Sequence, residues 1–280
     1  MSARGGAEPT GLKRALAGWT GSTVAIVAAH PDDETIGAGG VLPRFKAVTF
    51  LHLTDGAPRD GRDAAAAGLK TREAYAAARR RELLAAAQLA GVPPSRCIEL
   101  GGVDQEASLY FECLTRRLAD RLNEIQPELI FTHPYEGGHP DHDAAALVVC
   151  AACRLLEREG KPFPVVAEFT SYHAQQERFT AGLFLPVLPA GGSEQTVVVL
   201  SEAERELKRR MFSCFMTQQK VLSAFPIAVE RFRPAPIYDF TQPPHPGRLH
   251  YESFDWGITG ARWRGLAEQA LRRLGLEGPL

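Results

Sequence analysis

Cysteine is scarce in this chain, with five residues among 280. The number is odd and the spacing is not that of a disulfide framework. A small disulfide-stapled scaffold is therefore excluded, and a reducing, cytoplasmic setting is expected. Long apolar runs are missing too. None approaches the roughly 18 residues that mark a transmembrane helix, so no membrane span is expected. Residues 1–20 lack a basic patch followed by an apolar stretch, and no secretory signal is expected there. Neither sign of charge is in excess. The formal net charge is −1, and no block of like charges occurs. A nucleic-acid or membrane-surface partner thus gets no electrostatic support. Repeats, low-complexity blocks, a P-loop and a G-x-G-x-x-G fingerprint are all absent. Oligomeric state is left open.

What is present is apolar material: 45% of the residues are hydrophobic, enough to fill a sizeable core. It is arranged as alternating strand-like and helix-like runs. Residues 22–29 (STVAIVAA), 47–54 (AVTFLHLT), 96–100, 128–132 (ELIFT) and 165–169 read as buried strands. Residues 71–90, 108–126 and 141–159 read as the helices between them, stopped by glycine or proline. Strands separated by helices imply right-handed crossovers and a mostly parallel sheet. Beyond residue 179 the pattern loosens. It holds a strand at 196–200, a charged helix at about 202–219 and a proline-rich, aromatic tail from 226 to 256. The expectation is a disordered tail over residues 1–20. A single α/β domain over 21–280 follows, with an irregular C-terminal extension from about 180. Cys150 and Cys153 form a lone CxxC in an apolar helical stretch, with no second half of a zinc site, and read as helix packing.

Two strands run into loops rich in histidine and acid. The first leads into His30-Pro31-Asp32-Asp33-Glu34. The fourth leads into His133-Pro134-Tyr135-Glu136-Gly137-Gly138-His139-Pro140-Asp141-His142-Asp143. In an open parallel sheet, ligands bind at the carboxyl ends of the strands. If both strands are central, the two loops share one edge. Imidazole nitrogen and carboxylate oxygen suit zinc, and a catalytic zinc keeps one position free for water. His30 and Asp33, three apart, can face one point, with His142 supplying a third ligand. The neighbouring Asp32 is then free to act as general base.

These residues resemble the PIG-L/LmbE-like deacetylase family. Its AHPDDE motif stands as Ala29-His30-Pro31-Asp32-Asp33-Glu34, and its GHPDH motif as Gly138-His139-Pro140-Asp141-His142. The resemblance implies a Rossmann-like α/β fold with helices on both faces of the sheet. It also implies Zn²⁺, with Fe²⁺ as the alternative, held by His30, Asp33 and His142, and Asp32 as the base. His139, positioned by Asp141, would stabilise the oxyanion as an imidazolium or protonate the departing amine, which predicts a bell-shaped pH profile. Arg79 and Asp104 occupy places where relatives touch the sugar, and Tyr135 lies near the place of a tyrosine that some relatives carry. The implied reaction is removal of an acyl group from the nitrogen of an N-acetylglucosamine-type substrate, a small-molecule N-acyl sugar or conjugate.

Other readings stand beside these. Either aspartate of the tandem can cap the following helix. His133 reads as an ordinary strand exit, and His52 as a buried, hydrogen-bonded histidine. Arg79 and Glu82, three apart on a helix, also fit a surface ion pair. Gly37, Gly39 and Gly40 read as close-packing positions. Tyr172 and His173 follow the fifth strand and can reach the same edge. An amidase of a sugar conjugate or natural product fits the motifs equally well. A non-catalytic α/β ligand-binding protein with a vestigial metal site is the reading from another class.

Overall fold

The computed structural model describes residues 22–175, 178–186 and 195–280. The expected tail over residues 1–20 lies outside them. Nine strands are described: β1 (Thr23–Ala28), β2 (Ala47–Thr54), β3 (Cys97–Gly102), β4 (Leu129–Thr132), β5 (Val165–Phe169), β6 (Tyr172–Gln175), β7 (Arg178–Ala181), β8 (Thr196–Val199) and β9 (Val229–Pro234). Seven of them form one sheet in the order β3-β2-β1-β4-β5-β9-β8, and β6 pairs with β7 alone. The β3-β2-β1-β4-β5 part is parallel throughout. β9 joins antiparallel to β5, and β8 antiparallel to β9.

The helices are α1 (Asp33–Ala38), α2 (Arg62–Ala66), α3 (Arg72–Leu89), α4 (Phe111–Ile125), α5 (Pro140–Arg158), α6 (Glu202–Cys214), α7 (Gln219–Leu222) and α8 (Gly260–Leu274). Both faces of the sheet are covered, because each central strand is apolar on both sides. Val24 and Ile26 of β1 join Ile36 of α1, Leu83 of α3 and Phe212 of α6 in one core. Ala25 and Val27 join Leu118 of α4, Leu147 of α5 and Trp263 of α8 in the other. Burial of each large apolar side chain is worth about 1.5–3 kcal/mol. Gly37 permits the close approach of α1 to β5: a Cβ there would lie 2.3 Å from the Phe169 ring.

The C-terminal part is more regular than its sequence suggests. β9 reads Val-Glu-Arg-Phe-Arg-Pro, with charges that mask a strand. Two of those charges are buried and paired. Glu230 lies 2.7 Å from Lys208, and Arg233 lies 2.7 Å from Glu168 and 3.1 Å from Glu136. The charged helix ends at Cys214 rather than near 219, where the chain turns through Met216–Gln218 into α7. α8, unread in the sequence, is capped by the Thr259 hydroxyl at its start and by left-handed Gly275 at its end. The two cysteines of the CxxC are free thiols on α5.

Candidate active site

Strand order reverses between β1 and β4, so the loops after these two strands meet at the switch point of the sheet. The parallel register, with Val27 beside Thr132, brings both motifs level. They floor a cavity of about 700 Å³ that reaches solvent.

Asp33 opens α1 and ties the cluster together. Its Oδ2 accepts from the His30 backbone N–H at 2.8 Å and lies 3.2 Å from His30 Nδ1. Its Oδ1 lies 3.3 Å from His142 Nε2. The other nitrogen of His142, Nδ1, is 3.1 Å from the Ser171 hydroxyl, which fixes the ring. Burial alone would raise the Asp33 carboxyl. The facing His142 and His133 imidazoles instead hold it well below the usual carboxylate range.

Asp32 has φ 141°, a left-handed conformation that an L-residue keeps only under constraint. Its backbone N–H donates to Glu34 Oε2 at 3.0 Å, and the same oxygen meets His52 Nε2 at 2.9 Å. Arg79 clamps the loop from above. It donates to the Pro31 carbonyl at 2.7 Å and the Gly56 carbonyl at 3.0 Å, and lies 3.3 Å from Asp32 Oδ2. Burial pushes the Asp32 carboxyl up to about 8; Arg79 opposes this and the charge of Asp33 adds to it.

His139 caps α5. Its Nδ1 accepts from the Asp141 backbone N–H at 3.1 Å, which leaves Nε2 as the N–H that faces the cavity. Burial, with the charge of His30 adding, holds the ring well below its ordinary pKa, and the positive end of the helix acts in the same direction. That direction favours a neutral ring that offers Nε2–H as a donor, where the sequence reading expected an imidazolium. Asp141 meets His139 through its backbone N–H, and its carboxylate has other partners. The Asp141 carboxylate accepts from Gln105 N–H at 2.6 Å and Ala107 N–H at 3.1 Å and sits 3.3 Å from His30 Nε2. It orders the neighbouring loop and faces His30, while its backbone holds His139.

Asp104 lines the cavity 3.1 Å from His30 Nε2 and 3.8 Å from His139 Nε2. Arg79 also lines it, with most of its donors spent on the loop. No Arg79–Glu82 pair forms among the described residues; Glu82 instead accepts from the Thr217 N–H and hydroxyl. Tyr135 is not in the cavity. Its hydroxyl donates to the Gln242 carbonyl and its ring stacks on Trp263 at 5.3 Å, because the loop turns it inward. His133 is more than a strand exit: its ring stacks on His142 at 4.0 Å, and Nε2 accepts from Ala29 N–H. Sequence reasoning missed Ser171 and the segment from Met216 to Val221 that forms one cavity wall. A hydroxyl at a strand exit and a short apolar turn carry no motif.

The donor set suits a divalent ion. Three overlapping groups have all their ligand atoms within 4.8 Å of one another: His30, His139 and His142; His30, Asp104, His139 and Asp141; and Asp33, His133 and His142. The trio His30, Asp33 and His142 is not itself one of these groups; Asp33 turns Oδ2 to His30 and Oδ1 to His142. All three residues are nonetheless buried and in mutual contact.

A Rossmann-like sheet with this histidine–aspartate cluster at its switch point has the fold of the LmbE-like proteins. Residues 25–153 match the family model described as PIG-L: GlcNAc-PI de-N-acetylase. Over that segment the chain resembles the PIG-L/LmbE-like family. It is 28% identical over 153 residues to a protein of Bacillus subtilis named as a probable N-acetyl-alpha-D-glucosaminyl L-malate deacetylase 2. That match covers 52% of this chain and 67% of the relative. It is 30% identical over 159 residues to a 1D-myo-inositol 2-acetamido-2-deoxy-alpha-D-glucopyranoside deacetylase 2 of Catenulispora acidiphila, covering 49% and 52%. Among solved structures, the A40926 pseudoaglycone deacetylase Dbv21 superposes with a TM-score of 0.58 at 20% identity, over 75% of this chain and 96% of that one. The 4-carboxy-2-hydroxymuconate hydratase GalB of Pseudomonas putida superposes with 0.54 at 19% identity, over 76% and 95%. The shared fold thus carries more than one reaction, and the site must decide which. No helix among the described residues is long and apolar enough to cross a membrane.

Proposed function

We propose that the chain is a metal-dependent N-deacetylase of N-acetylglucosamine-type substrates. One observation carries this: His30, Asp33 and His142 lie in mutual contact and line one cavity together with Asp32 and His139. The deacetylase names of the Bacillus and Catenulispora relatives support the substrate class.

His30, Asp33 and His142 would hold the ion, with Zn²⁺ first and Fe²⁺ second, since their donor types accept either. Such an ion supplies a Lewis acid for the amide carbonyl and lowers the pKa of water to about 7. The remaining chemistry belongs to the chain. Asp32, held by its strained backbone, takes a proton from the attacking water. His139 donates its Nε2–H to the carbonyl oxygen as negative charge develops there, where a fixed donor contributes most. The proton held by Asp32 then passes to the leaving nitrogen, and the proton of the new acid follows, so amide and water become carboxylate and protonated amine. Asp104 faces the donors of the sugar.

Acetate release from N-acetylglucosamine and its glycosides by zinc-loaded protein tests the reading. Release that disappears on chelation and returns with metal is the expected result. Metal-loaded protein that cleaves no N-acyl amino sugar overturns it.

A further inference from the structure

β2 carries a histidine where its pattern calls for a hydrocarbon. Val48 and Phe50 of β2 belong to the core shared with α1 and α3, and strand alternation sets His52 on the same face. His52 and its neighbour Glu34 are each 0% exposed. Neither lines the catalytic cavity, and the proposed reaction uses neither. Three donors converge on the Glu34 carboxylate. Oε1 accepts from the Thr35 hydroxyl at 2.6 Å, and Oε2 accepts from the Asp32 backbone N–H at 3.0 Å. The third donor, 2.9 Å from the same Oε2, is His52 Nε2. A carboxylate only accepts, so Nε2 carries the hydrogen. The other ring nitrogen, Nδ1, is buried with no hydrogen-bond partner among the described residues.

As a device for stability this arrangement is poor. A buried polar atom without a partner costs free energy, and a leucine would fill the place without that cost. What the arrangement does provide is a rigid link. His52 lies beside Ala28 in the register of β1 and β2, so it ties Glu34 to the centre of the sheet. The Pro31–Asp32 peptide is thereby gripped at both ends. Arg79 donates to its carbonyl at 2.7 Å, and Glu34 accepts from its N–H. Rotation of this one peptide would release the φ of 141° at Asp32, a conformation that persists only where the surroundings enforce it.

We infer that His52 is a positioning residue for the base: by holding Glu34 against the Asp32 N–H it fixes the Pro31–Asp32 peptide, and with it the direction of the Asp32 carboxylate. The inference rests on the proposed deacetylase reading, in which Asp32 takes the proton of the attacking water. His52 itself touches no reacting group and acts only through Glu34.

The test uses the difference between the two ring nitrogens. Glutamine places an amide N–H near the position of Nε2, asparagine places one near that of Nδ1, and leucine has none. His52→Gln, His52→Asn and His52→Leu are compared with wild type for kcat and KM in acetate release from methyl 2-acetamido-2-deoxyglucoside, and for metal content. Hydrogen exchange at the Asp32 amide, followed by NMR, reads the loop without turnover. The expected kcat falls about 10–100-fold in His52→Asn and His52→Leu, with wild-type KM and metal content, and His52→Gln recovers most of the rate. Exchange at Asp32 is expected to follow the same order, about tenfold faster in the asparagine and leucine variants. If the leucine variant does not fold, the glutamine and asparagine variants decide between them, because both bury an amide and only its reach differs. Wild-type kcat in His52→Asn, or equal loss in His52→Asn and His52→Gln, overturns the inference and leaves the deacetylase reading standing. Exchange at Asp32 that is the same in all the proteins overturns it too. Exchange in the expected order, in a protein that releases acetate from no N-acyl amino sugar, upholds the grip of His52 on the loop and sinks the deacetylase reading.

Discussion

Asp32 pays for its position in backbone strain, and the residues that hold it there define what its carboxylate is for. Glu34 accepts its N–H and Arg79 anchors the carbonyl of Pro31 before it. Such constraint leaves the carboxylate at the cavity and outside the clusters that could hold an ion, which suits the base role proposed for it. Asp32→Asn should therefore keep the metal content of wild type while turnover falls by about 10²–10⁴-fold. Metal analysis beside acetate release checks both halves, and a variant with wild-type turnover removes Asp32 from the role. Ser171 gives a second case. Its hydroxyl meets His142 Nδ1 at 3.1 Å and so leaves Nε2 turned to Asp33. Ser171→Ala should weaken metal affinity about 10–100-fold, the usual effect of losing such an orienting partner. Competition against a chelator measures it, and unchanged affinity shows that His142 is held by packing alone.

At the scale of elements, the site depends on how α1 is pinned. Its C-terminal end is met by Lys208 of α6, which donates to the Ile36 carbonyl at 2.8 Å. Glu230 of β9 accepts from the backbone N–H groups of Gly40 and Val41. Nearer the surface, Arg44 and Glu204 join the turn before β2 to the start of α6 at 2.7 Å. The hydrogen bond from Arg44 pulls the Glu204 carboxyl down to about 2 from an ordinary value of 4.5, with burial opposing. A depressed folded-state pKa means that the unfolded chain binds the proton first as pH falls. The pair's contribution is thus complete above about pH 4.5 and is lost between there and about pH 2. Solvent screening limits it to about 1 kcal/mol or less. Glu204→Gln should lower the urea midpoint by a small, constant amount from neutral pH to pH 5, and the gap should narrow below that. A gap that widens on acidification contradicts the assignment.

Across the whole molecule, the legible and the hidden parts divide by where the charge lies. β1 and β4 are apolar on both faces, β2 and β5 are mostly so apart from His52 and Glu168, and all four could be read directly, as could the helices between them. Both motif loops stand at strand ends, so their meeting follows from parallel order alone. β9 was hidden because Glu230 and Arg233 look exposed until Lys208, Glu168 and Glu136 are seen to neutralise them. Tyr135 was misplaced because a loop sequence does not say which way a ring turns. The role of α8 was hidden for a related reason: what it binds lies far away in the chain. Trp263 is buried against Phe111, 5.1 Å away, and its Nε1–H donates to the Pro140 carbonyl at 3.0 Å. Pro140 opens α5, between His139 and His142. The C-terminal helix thus fastens the very turn that carries two site histidines. Trp263→Ala removes a buried ring and should cost about 3–5 kcal/mol of stability. It should also lower kcat at temperatures where the protein remains folded, because the start of α5 loses its anchor. Trp263→Phe keeps most of the packing and lacks the N–H, so it separates the two effects. If the phenylalanine variant is stable yet slow, the hydrogen bond to Pro140 positions the site. If it is stable and fully active, α8 contributes packing alone.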